Sequence, residues 1–106
     1  MDFECVETPK GKLIIKLNGE MNVVGCARIH ASLEQIIDTT HNNHLLFDLS
    51  QVSFIDSTGI GVIVFLYKRL RAEGRMLEMI NVQRQPMEMM ELLRIGSVIP
   101  VRTELR

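Results

Sequence analysis

The chain opens with two short segments rich in apolar residues, Phe3–Thr8 and Lys12–Leu17, which we predict to be strands. The Pro-Lys-Gly segment at 9–11 supplies turn residues between them, so the pattern predicts a hairpin. After a polar break at 18–20, Asn22 is a suitable N-cap for a helix from about Val23 to Asp38. One set of apolar positions recurs at helical spacing and defines the buried stripe of this helix: Cys26, Ile29, Leu33, Ile36 and Ile37.

The apolar run Leu45–Leu49 is short and bounded by polar residues, which favours a buried central strand. A second helical pattern follows a hydroxyl-rich turn, ends near Glu73 and is stopped by Gly74. Its buried stripe consists of Ile60, Ile63, Val64, Tyr67 and Leu70.

The last third of the chain repeats the alternation. Met76–Val82 is a strand candidate, and Pro86 fits the first turn of a third helix that runs to about Arg94 and is closed by Gly96. Residues 97–102 are a candidate for a last strand, which Pro100 would confine to an edge or an end.

This order of elements predicts an α/β fold, because strands that alternate with helices form right-handed crossovers and a mostly parallel sheet. The chain has 106 residues, the size of one small domain, so we assign residues 1–106 to a single domain. A chain of this length is too short to cover both faces of the sheet well. We therefore expect a mixed, mostly parallel sheet with the helices packed mainly on one face.

Composition and charge narrow the function classes. The net charge of −1 gives no overall field that would recruit nucleic acid or an acidic membrane surface, and no apolar run approaches a membrane span. The acidic start of the chain is unlike a signal peptide. Cys5 and Cys26 form no CxxC pair and suit a reduced, cytoplasmic protein. His41 and His44 lie in a polar loop without an acid or cysteine cluster, so we expect neither a metal nor a cofactor.

The segment from Phe54 to Gly61 has the strongest functional signal. It stands between the central strand and the second helix, and it contains one acid, two hydroxyls and two glycines: Asp56, Ser57, Thr58, Gly59 and Gly61. The first N–H groups of a helix lack internal acceptors and carry partial positive charge, so the turn is a natural place for a phosphate or an anionic partner.

The same segment, with the strand before it, resembles the signature region of the STAS domain family, and in particular the bacterial anti-sigma factor antagonists. The segments 17–22 and 92–101 are similar to the end of the family's strand before the first helix and to its closing helix and strand. The resemblance implies partner switching. An unphosphorylated antagonist binds a serine kinase that doubles as an anti-sigma factor, the kinase phosphorylates the serine after the signature aspartate (Ser57 here), and a PP2C-type phosphatase reverses the modification. Asn22 stands where the family often has aspartate, which preserves the cap but puts a partner contact of that carboxylate in question.

Several roles near the turn have two interpretations. Asp56 either orients the serine or only caps the helix, and the two glycines either let a partner approach or ease helix–sheet packing. The helix also carries more apolar residues than one stripe needs, so we predict that Val62, Phe65 and Arg69 flank the docking face. The alternative is packing against the neighbouring helix.

Other function classes have less support. The serine lacks a nucleophile elbow and a positioned histidine, so we expect no enzymatic activity. The main alternative is a STAS module that acts as a scaffold or transporter-associated subunit without a switch, and a small-ligand sensor on the open sheet face is a further one. We expect a monomer that forms heteromeric complexes.

Overall fold

The protein, described for residues 1–103 by a computed structural model, has the predicted alternation of strands and helices. The described residues form four strands, three α-helices and one short 3-10 helix. Their bounds are β1 Asp2–Glu7, β2 Leu13–Met21, α1 Val23–Thr39, β3 His44–Ile55, α2 Ser57–Ala72, β4 Met76–Ile80, α3 Arg84–Leu92 and the 3-10 helix Ile95–Ser97.

The sheet has the order β1-β2-β3-β4, with β1 antiparallel to β2 and the other pairs parallel. The prediction of a mixed, mostly parallel sheet is therefore confirmed. Alternate residues of β2 divide between its faces: Leu13, Ile15 and Leu17 enter the main core with the buried residues of all three helices, whereas Ile14 and Lys16 face the other side. The helices thus cover one face of the sheet, as expected for a chain of this length.

Both long strands extend further than their apolar runs indicated. β2 continues to Met21 through two shifts of register, and Gly19 adopts a positive φ of 124° between them. β3 continues to Ile55 through a polar stretch in which Val52 is buried. Because the two strands are parallel, their carboxyl ends meet at one edge, where Met21 pairs with Ile55.

The end of the chain differs from the prediction. α3 stops at Leu92, two residues before the predicted end, and the predicted closing residue Gly96 lies inside the 3-10 helix. The left-handed residue after α3 is Arg94, with a φ of 55°. The predicted last strand at 97–102 is wrong as a strand: a 3-10 helix leads into one isolated parallel bridge between Met79 and Val101. Pro100 has no N–H to donate, so the pairing does not extend before the bridge, and after it the N–H of Val82 donates to the carbonyl oxygen of Arg102 at 3.0 Å.

Arg75, between α2 and β4, is a buried basic residue. Its guanidinium donates hydrogen bonds to the carbonyl oxygens of Ile37 and Asn42 and to the hydroxyl of Thr40. It therefore satisfies acceptors at the end of α1 and in the following loop.

Candidate functional site

The turn between β3 and α2 is organised by Asp56. Its backbone is extended, and its Oδ1 accepts hydrogen bonds from the N–H of Thr58 (2.9 Å) and of Gly59 (3.1 Å). Asp56 is thus the N-cap of α2 and satisfies two of the four orphan donors of this helix.

Ser57 is the first residue of α2 and is exposed, whereas Thr58 is half-buried. The hydroxyl of Ser57 therefore lies at the helix N-terminus within reach of solvent and of a second protein. Physical accessibility favours Ser57 over Thr58 as the acceptor of a modification, a distinction that the residue types alone did not make.

The two glycines of the turn have different surroundings. A Cβ atom built on Gly59 would lie 2.5 Å from the carbonyl oxygen of Met21 and 2.6 Å from Cγ1 of Ile55, so the space is occupied by β2 and β3. A Cβ on Gly61 would meet nothing within 4 Å. Close packing of the helix on the sheet accounts for Gly59, while the surface beside Gly61 is open.

Asn22 occupies the equivalent position at the start of α1. Its Oδ1 accepts from the N–H of Gly25 at 2.9 Å, which makes it the N-cap of α1. The N–H of Asp56 donates to the carbonyl oxygen of Met21 at 3.3 Å. The structure therefore brings the two capped helix starts together at the carboxyl edge of the parallel strands.

The prediction for the flank of α2 needs correction. Val62 is only 7% exposed and belongs to the core, so it cannot flank a docking face. Phe65 is 46% exposed, with its ring tilted against the His30 ring at a centroid distance of 5.4 Å. Arg69 binds two carboxylates of α1, those of Glu34 (2.9 Å) and Asp38, and so ties the two helices together.

The sequence reasoning missed two kinds of residue at this edge. Val23 and Val24 are each 65% exposed in the first turn of α1, where they fall outside the buried stripe of that helix. Gln85 of α3 contacts the backbone of Ile55, and a contact across 30 residues leaves no local signal in a single sequence.

Buried polar chemistry beneath the turn is limited. Burial raises the pKa of the Cys26 thiol, and the nearby charge of Asp56 raises it further. Both cysteines are free.

Within residues 1–103 no group of three His, Cys, Asp or Glu side chains could hold a metal ion. His44 instead lies 3.2 Å from the carboxylate of Glu78. No helix in the same part of the chain is long and apolar enough to cross a membrane.

The chain is similar in sequence and in fold to proteins that are named anti-sigma factor antagonists. The chain is 23% identical over 96 residues to the anti-sigma F factor antagonist of Paenibacillus polymyxa, which covers 91% of this chain and 82% of the relative. An anti-sigma factor antagonist described for Thermotoga maritima has the same fold, with a TM-score of 0.83, 19% identity and coverage of 94% of this chain and 85% of that one. The Bacillus cell fate determinant SpoIIAA in its phosphorylated form matches with a TM-score of 0.70, 18% identity and coverage of 94% and 90%.

The family assignment follows from the sequence match and agrees with the fold. Residues 5–106 match the STAS domain, which is nearly the whole chain. The chain therefore belongs to the STAS domain family.

Proposed function

We propose that this STAS domain is an anti-sigma factor antagonist of a partner-switching pathway in the cytoplasm. Its unphosphorylated form binds a serine kinase that is also an anti-sigma factor, and phosphorylation of Ser57 ends that binding. The observation that carries the proposal is that Ser57 is exposed directly after the capping aspartate. By resemblance to the family's signature region, Ser57 corresponds to the serine that the kinase modifies.

The surface around Ser57 supports docking of a protein. Val23 and Val24 flank the start of α1, Phe54 is 37% exposed at the end of β3, and Gly61 leaves open space one helical turn after the serine. Exposed apolar side chains around a polar centre are typical of an interface that is buried only in a complex.

The cap explains why phosphorylation would act on binding rather than on the fold. The γ-phosphoryl group of ATP is transferred to Oγ of Ser57 as its bond to ADP breaks and the hydroxyl proton leaves. The phosphate adds a charge of about −1.5 to −2. Because Asp56 already accepts the N–H groups of Thr58 and Gly59, these donors are not free to hold the phosphate. The dianion therefore stays on the solvent side of the turn, where a docking partner would have to desolvate it.

We further propose that the chain is a monomer in its free state, has no catalytic activity or cofactor of its own, and is restored by a PP2C-type phosphatase. Incubation with ATP alone should leave Ser57 unmodified. Self-phosphorylation would contradict this part of the proposal.

The proposal is tested by tagging the chain in its native cells, capturing bound proteins and mapping phosphosites by mass spectrometry. We expect a small serine kinase that, once purified, phosphorylates Ser57 with ATP. The Ser57→Ala variant should bind this kinase and remain unmodified, and Thr58→Ala should be phosphorylated as the wild type is.

The phosphomimetic variant provides the decisive contrast. Ser57→Asp should retain the wild-type circular dichroism spectrum and lose kinase binding. Kinase binding by Ser57→Asp at wild-type affinity, or a Ser57 that stays unmodified both in cells and by the purified kinase, would favour the non-switching scaffold or transporter-associated role.

A further inference from the structure

β3 extends beyond its neighbour β4, and this leaves part of one edge of β3 without a strand. The pairing with β4 ends at Asp48 and Ile80, whereas the pairing with β2 continues to Ile55. The N–H of Asp56 points towards β2, since it donates to the carbonyl oxygen of Met21. Successive residues of a strand direct their backbone groups to opposite sides, so the N–H and C=O of Ile55 point to the side where β4 is missing.

Gln85 of α3 takes the place of the missing strand at that position. Its Oε1 accepts the N–H of Ile55 at 2.8 Å, and its Nε2 donates to the C=O of Ile55 at 3.0 Å. A side-chain amide carries one acceptor oxygen and donor hydrogens, so it can pair with both backbone groups of one residue as a peptide of a neighbouring strand would.

The paired residue lies two positions before the phosphoacceptor. Ile55 leads into Asp56, whose carboxylate caps the helix that begins at Ser57. The backbone before the cap is thus held from two sides, by Met21 from β2 and by Gln85 from α3. A transferred phosphoryl group requires its acceptor oxygen in a narrow range of positions, and an error of about 1 Å can reduce a rate by about 100-fold.

We propose that Gln85 is a positioning residue for phosphorylation of Ser57: its two hydrogen bonds to Ile55 hold the turn in the geometry that the kinase requires. The proposal deepens the proposed function and rests on it. It predicts that loss of these bonds slows phosphoryl transfer more than it weakens docking, because the exposed residues around the turn remain in place.

Gln85→Met is the first test variant, since methionine has a similar length and can make neither hydrogen bond. Gln83→Met is the matched control, because the Gln83 side chain is exposed and, among residues 1–103, donates only to the carbonyl oxygen of Asn81. With the purified kinase of the capture experiment, we expect kcat/KM for Ser57 of Gln85→Met to fall about 10- to 100-fold, mostly in kcat. Gln83→Met should match the wild type.

Gln85→Glu gives a second test that does not depend on the kinase. A carboxylate can accept from the N–H of Ile55 but repels its C=O, whereas the neutral acid regains a donor. In two-dimensional NMR spectra we expect the Ile55 and Ser57 amide signals of this variant to move towards their wild-type positions as the introduced carboxyl is protonated. Asp56, next to Ile55 along the chain, and Arg84 and Glu88, close to Gln85, are ionisable groups, so a wild-type pH series is recorded as the reference.

The outcomes separate the two proposals. Phosphorylation of Gln85→Met at the wild-type kcat would overturn the positioning role and leave the proposed function intact. Failure of the wild type to be phosphorylated would refute the proposed function. If the Ile55 and Ser57 amide signals of Gln85→Glu changed with pH as they do in the wild type, the claim that Gln85 positions the turn would be refuted.

Discussion

Replacing Gly59 with alanine should destabilise the domain, although alanine is the better helix former. The added Cβ would lie 2.5 Å from the carbonyl oxygen of Met21 and 2.7 Å from its Cβ. Carbon atoms in contact normally lie about 3.5–4.0 Å apart, so the start of α2 must move away from β2 by about 1 Å.

The size of the effect follows from two opposing terms. Overpacking of this kind costs about 1–3 kcal/mol, and the better helix propensity of alanine returns up to about 1 kcal/mol. We therefore expect the free energy of unfolding to fall by about 1–2 kcal/mol. Gly61→Ala is the matched control on the same helix: its Cβ would meet nothing within 4 Å, so the propensity term alone should raise stability by about 0.5–1 kcal/mol.

Urea denaturation followed by far-ultraviolet circular dichroism measures the free energy of unfolding of both variants. If the transition remains two-state, the slope m of that free energy against urea concentration should be the same for the wild type and both variants. The midpoints should move in opposite directions. In thermal melts each kcal/mol corresponds to about 4–8 °C in a domain of this size, so the two variants should differ by roughly 10 °C. Equal midpoints for the two variants, or a Gly59→Ala variant as stable as the wild type, would refute the reasoning from packing.

Three further predictions concern residues around the site and the core. Asn22→Ala should lower the free energy of unfolding, measured by urea denaturation, by about 1 kcal/mol because α1 loses its cap. Asn22→Asp should keep the wild-type midpoint, and equal losses of stability in the two variants would contradict the capping role. Arg75→Ala should lower the free energy of unfolding by about 2–4 kcal/mol, since buried acceptors lose a charged donor. Replacing the exposed Lys68 with alanine should change the midpoint little, and similar effects of the two substitutions would argue against the buried network. In an alkylation time course followed by mass spectrometry, Cys26 should react more slowly than Cys5 in the native protein. Burial raises the pKa of both thiols, so the difference rests mainly on access, because Cys26 is buried and Cys5 is exposed; the charge of Asp56 raises the pKa of Cys26 further. The two thiols should react alike in urea, and equal native rates would contradict the burial of Cys26.

Element type and order could be predicted from the sequence because they depend on local patterns. Apolar periodicity identified α1, α2 and the central strand, and Asn22 marked the start of α1, where its side chain is indeed the cap. The ends of the strands were harder to predict from the sequence. β3 continues through a polar stretch to Ile55 because β2 pairs with it there, and no residue within the stretch records that neighbour.

The candidate site divides in the same way. The chain itself determines that an aspartate, two hydroxyl residues and two glycines open a helix, which makes Asp56 a candidate cap. The structure shows that Asp56 is the cap and that Ser57 is exposed whereas Thr58 is half-buried. Only the tertiary structure decides what surrounds the turn. Val62 is buried in the core, Arg69 binds carboxylates of α1, and Gln85 forms hydrogen bonds with the backbone of Ile55, directly before the cap. The physical reason is range. Capping and periodicity act within about four residues, whereas these contacts join elements 30 or more residues apart, which meet only when the sheet is assembled.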